Sequence, residues 1–181
     1  MTITFIDIFM AAIVIRSVFI GKKNGFVVEL FKFLGVISAT FFSIHYYIRF
    51  SDLFKNWLMI PSAVRDFIIF VTLVFVVVGI FALVREGWVA LLKIEIYPQM
   101  NTWMGGIFAF LRSLLICGLV FLAILISQND ILIEQARQSL SRDFFNTISN
   151  DTYRMIYGGF ISPFFASEQV NAQVLKVILK N

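Results

Sequence analysis

Cysteine, histidine and charge are all scarce in this sequence. It holds one cysteine and one histidine, and 14% of its residues are charged, where about 25% is usual in a soluble domain. Cys117 stands alone, so no internal disulfide can form. With His45 as the lone histidine, neither a Cys/His zinc site nor a Cys–His nucleophilic pair can be assembled. No run of Lys and Arg is long enough for a nucleic-acid surface, and the formal charge of +4 is spread along the chain. A soluble domain so poor in charge could not cover its own surface. No cofactor or metal is expected, and most enzyme classes are excluded.

What is present in excess is apolar: 60% of the chain, against roughly 45–50% for a soluble domain. The excess falls into four runs, 3–20, 26–47, 67–84 and 103–126, each about as long as a bilayer is thick. In lipid each span must satisfy its own backbone, so the runs predict helices. The first run, with Asp7 and Arg16, lacks the basic start of a signal peptide and is expected to be a retained span. The turn from Gly21 to Gly25 is short enough only for a helical hairpin. Tyr46 and Tyr47 close the second run as interfacial aromatics, and His45 beside them reads as interfacial too. The segment from Ile48 to Asp66 reads as a loop with a short surface helix. From Arg85 to Thr102, Trp88, Leu91, Leu92 and Ile96 form an amphipathic pattern suited to the membrane surface. Residues 127–181 are expected outside the bilayer as a polar helical tail. In it Leu132, Ala136, Leu140, Phe144 and Ile148 predict one amphipathic helix, and a second begins near Ser167. The basic residues around the first turn, Arg16, Lys22, Lys23 and Lys32, favour a cytoplasmic turn with both termini outside.

Two stripes of small residues recur every four positions: Gly35, Ala39 and Ser43 in the second run, and Gly105, Ala109 and Ser113 in the fourth. Such spacing keeps them on one helix face, where another backbone can approach closely. The two faces are expected to pack against each other, or at an oligomer contact. Charges within the runs are more telling, since each costs roughly 2.5–3.5 kcal/mol or more at the bilayer centre. Asp7, Arg16 and Lys32 can snorkel to the interface. Arg112, about ten residues into its run, is expected near mid-bilayer and most needs an acid. Asp7 and Glu29 are the acids within the runs, and arginine's backward projection ranks Glu29 first.

The segments Ile6-Asp7, Gly21-Lys22-Lys23-Asn24-Gly25-Phe26-Val27-Val28-Glu29 and Gly35 resemble the colicin V production protein family, CvpA. So does Asn101-Thr102-Trp103-Met104-Gly105-Gly106-Ile107-Phe108-Ala109-Phe110-Leu111-Arg112. The likeness runs over residues 3 to 126. Asn24 stands where a basic residue is common in the family, and Ala109 and Ser113 stand where glycine is common. The resemblance implies a bacterial cytoplasmic-membrane protein linked to toxin production or export and to envelope maintenance. It implies no catalytic residue and no cofactor.

The expected architecture is therefore an all-α polytopic membrane protein of about four transmembrane helices with amphipathic surface helices. Its expected role is that of a non-enzymatic accessory factor. The bilayer is its expected partner, with self-association or other membrane proteins beside it and no nucleic acid. The alternative is a small transporter or channel subunit, in which Asp7, Glu29 and Arg112 would line a polar path in an oligomer. A membrane enzyme acting on lipid finds no His/Asp/Ser constellation to support it.

Overall fold

A computed structural model describes residues 3–55, 60–91 and 97–161, and among them every regular element is helical. Four long helices come first: α1 (Phe5–Asn24), α2 (Phe26–Leu53), α3 (Ser62–Leu91) and α4 (Pro98–Ile126). Two short ones follow, α5 (Asp130–Gln138) and α6 (Arg142–Ile156), and then a π-helical turn, Tyr157–Ile161. The chain is an all-α polytopic membrane protein. Among the described residues three stretches are long and apolar enough to cross a bilayer: Phe26–Leu53, Ser62–Gly87 and Pro98–Ile126. The first helix is long enough as well, but any 18-residue stretch of it contains Asp7, Arg16 and Lys22, which sets it apart by composition.

The long helices alternate in direction. Gly35 of α2 abuts Phe81 of α3, while Ser51 at the far end of α2 bonds Asp66 and Arg65 near the start of α3. Those two helices are thus antiparallel. Likewise Gly21 of α1 meets Gly105 of α4, and the Met10 carbonyl meets Cys117. α2 and α4 run the same way, with Phe26 beside Asn101 and Phe33 against Phe108. In lipid no hydrophobic force drives helices together, so close packing of small residues has to do so. That is the arrangement at Gly21, where an added Cβ would stand 2.1 Å from Ala109 Cβ.

α3 is the outlier. Only 6% of its apolar stretch is buried, against 44% in α2 and 56% in α4. It leans on α2, touches α4 little, and turns Phe75, Ile80 and Leu83 outward. Two cores result. One joins Phe41, Ile44 and Tyr47 of α2 to Phe70, Leu119, Leu122 and Tyr153. The other joins Ile6 and Met10 of α1 to Cys117, Phe121, Ala136 and Phe145.

Several element boundaries differ from the sequence expectation. α2 continues past Tyr47 to Leu53 because its polar end is held by Arg65 and Asp66 of α3. α3 reaches Leu91 and α4 starts at Pro98, where proline suits the first turn, so the connection between them is short. The Gly21–Gly25 turn shrinks to Gly25 alone, and the two helices it joins barely touch: α1 lies along α4 instead. The single amphipathic helix of the tail is two helices, broken at Ser139–Ser141. Its inner face carries Ala136, Phe145 and Tyr153, whereas Leu140 and Phe144 are exposed. The tail to Ile156 is packed onto the bundle. The side chains from Trp88 to Ile96, residues 56–59 and the helix expected from Ser167 lie outside the described residues.

Candidate functional site

The two segments that carry the family resemblance are 75 residues apart in sequence and meet at one end of the bundle. Gly25 has φ +82°, a conformation that any other residue enters at a cost, and it joins α1 directly to α2. The Asn101 side chain packs on it, 2.6 Å from where a Cβ would lie, and accepts a 2.6 Å hydrogen bond from the Phe26 N–H. Asn101 thus caps the α2 N-terminus from another helix, a task normally done by the preceding residue, which here is glycine. One turn further along α4, Gly105 lies against the backbone of Gly21 and Gly25, where a Cβ would come within 2.5 Å of the Gly21 carbonyl oxygen. Gly106 lies against the Lys22 side chain, whose ammonium sits 5.8 Å from the Trp103 ring centre.

Glu29 is next along α2 and fully buried. Its Oε1 accepts from Asn24 Nδ2 at 2.6 Å and from Lys32 Nζ at 2.9 Å. Its Oε2 lies 3.1 Å from Arg112 Nη2, an ion pair without hydrogen-bond alignment, and Arg112 Nε has no hydrogen-bond partner among the described residues. The buried carboxylate stands between two cations, and each cation is spared the cost of facing lipid alone. The Arg112 side chain lines the same cavity as Lys32 and Arg85. Arg112 is the middle residue of α4, and its side chain reaches Glu29 in the first turn of α2.

Asp7 belongs elsewhere. Near the opposite end of α1 its Oδ2 accepts from the Thr4 N–H at 2.9 Å and hydroxyl at 3.0 Å, the reach-back half of a capping box. The same carboxylate accepts from Ser139 Oγ at 2.6 Å, the Leu140 N–H at 3.3 Å and the Ser141 N–H at 3.2 Å. These are the residues at the break between α5 and α6. Ser139 and Ser141, which the sequence reading passed over, are thus the anchor of the tail. Tyr153 was missed as well: its hydroxyl bonds His45 Nδ1 at 2.9 Å, and His45 is buried under α6.

The small-residue faces do not meet as expected. Gly105 and Ala109 face Gly21 and Gly25, and Gly35 faces Phe81 of α3. Ala39, Ser43 and Ser113 are fully buried, with the Ser113 hydroxyl bonded to its own helix at the Phe110 carbonyl. Between α2, α3 and α4 lies a cavity of about 430 Å³, walled by Val and Phe with Lys32, Arg85 and Arg112 among its lining residues. Among the described residues no three His, Cys, Asp or Glu side chains stand close enough to share a metal ion.

A family model described as "Colicin V production protein" matches residues 6–150. No curated protein and no solved structure matches the chain.

Proposed function

From the premise that this chain belongs to the colicin V production protein family, we propose that it acts in the bacterial cytoplasmic membrane as a non-enzymatic accessory factor for toxin production or export and envelope maintenance. One observation carries the reading of its working part. The two separated segments that mark the family build a single buried cluster, Gly25–Asn101 and Glu29–Arg112, which fixes how α1, α2 and α4 meet. The cluster positions helices and presents no reacting group, which suits a scaffold better than a catalyst. In this reading α1 is a fourth span: it lies along α4 from Gly21 to Met10, and its Ile8, Ile15 and Phe19 face outward for lipid.

The transporter reading requires Asp7, Glu29 and Arg112 along one path. Asp7 is instead tied to the tail at the other end of α1, and Glu29 is engaged by Asn24, Lys32 and Arg112. The test is complementation in a colicin V-producing host whose own family member is deleted, with toxin activity assayed in the medium. The chain should restore secretion, and Glu29→Leu, at matched membrane levels, should not. Secretion unaffected by the deletion, or restored equally by both proteins, overturns the proposal. Ion or solute flux through purified protein in liposomes would favour the transporter instead.

A further inference from the structure

The cleft between α2, α3 and α4 has two chemically distinct parts. Its walls are a run of aliphatic and aromatic side chains, among them Val74, Val78 and Phe81 of α3 and Ile116 and Val120 of α4. Lys32, Arg85 and Arg112 line its head. The anions there are Glu29, shared between Lys32 and Arg112, and Glu86, which Arg85 meets only at 3.4 Å as an exposed sequence neighbour. Three cations against two anions leave the head positive. Such a surplus is costly beside an apolar wall unless a further anion joins it. From Arg85 to Phe70 the wall runs about 22 Å along α3 at 1.5 Å per residue, most of one span and more than one leaflet. The volume lies within the range of roughly 300–1,000 Å³ typical of ligand pockets.

We propose that this cleft binds one acyl chain of an anionic phospholipid, whose phosphate is held by Lys32 and Arg85. The charge at the head and the apolar, elongated wall select one occupant together: an amphiphile with a negative end. Arg85 is free to turn to it because its link to Glu86 is a weak exposed pair. Lys32 keeps Glu29 and still has N–H donors to offer. α3 would then be held to the bundle partly by the lipid, which suits a helix so little buried by protein.

The test uses the whole purified chain in phosphatidylcholine nanodiscs, titrated with phosphatidylglycerol and read by native mass spectrometry and thermal stability. One phosphatidylglycerol should bind per chain and raise the melting temperature, while inorganic phosphate should do neither. Lys32→Gln with Arg85→Gln should weaken that binding about tenfold or more, as the loss of two charge-assisted contacts implies. Ala82→Phe, which fills the wall and keeps the cations, should weaken it similarly. Both variants are first checked for native helicity and elution volume; competition by dodecyl phosphate on the wild type tests the same site without any substitution. Equal binding of phosphatidylcholine, full binding by Ala82→Phe, or no displacement by dodecyl phosphate overturns the proposal. So does stabilisation by inorganic phosphate alone. Disulfide-linked dimers of Phe75→Cys at native yield would show that a second copy covers the cleft, and would overturn it too.

Discussion

At the residue scale, the Glu29–Arg112 contact is the costliest feature to break. Removing one partner leaves the other charge buried in an apolar bundle, whereas removing both removes the problem. Arg112→Ala and Glu29→Ala should each destabilise by about 3–5 kcal/mol. The double variant should lose clearly less than the sum of the two, as measured by thermal or denaturant unfolding in a fixed detergent. Additive losses would mean that the charges act independently. Lys32 bonds the same carboxylate and would partly shield Glu29 in the Arg112 variant, so Glu29→Ala should be the more damaging of the two. These partners were legible in the sequence, because an arginine deep in an apolar run demands an acid and few were on offer. The role of Asn101 was not. Nothing in a local pattern announces a cap for a helix that begins 75 residues away.

At the element scale, the tail depends on α1. A continuous four-residue apolar periodicity runs from Leu132 to Ile148, and periodicity alone predicts one helix. The helix breaks at Ser139–Ser141 because hydroxyl and backbone donors there turn to Asp7, a long-range contact that outweighs local propensity. The main helices were readable because lipid forces each apolar run to be helical. The register in which they pack was not, since Gly21 and Gly25 belong to a turn in sequence and to a helix contact in space. Asp7→Ala should therefore release α5 and α6 while leaving the four long helices intact. Losing several charge-assisted hydrogen bonds at a half-buried site should cost about 1–3 kcal/mol. Limited proteolysis should then cut near Leu140 in the variant well before the wild type, with membrane-embedded fragments unchanged. Identical cleavage rates would show that Asp7 does not hold the tail.

At the scale of the whole molecule, the two ends of the bundle differ in charge. The end that carries the α1–α2 junction holds Lys22, Lys23, Lys32, Arg85 and Arg112 against Glu29 and Glu86. The other end balances Arg49, Lys55, Arg65, Arg137 and Arg142 with Asp7, Asp52, Asp66, Asp130, Glu134 and Asp143. The positive-inside rule then predicts a cytoplasmic junction and both termini outside. With α1 as a span, a reporter active only in the cytoplasm should be silent when fused after Asn181, and active when inserted between Lys23 and Asn24. Strong activity from the Asn181 fusion would reverse the orientation.

Gly25 joins two helices that scarcely touch, and α1 finds its partner in α4. Time therefore enters the construction of the molecule. The cap on Phe26 comes from a residue made 75 positions later, a delay of roughly 4–15 s at 5–20 residues per second. Through that interval α1 has been made but its bed has not, and Glu29 waits for its arginine. The nascent chain must keep these groups watered, or sheltered by the insertion machinery, until α4 arrives.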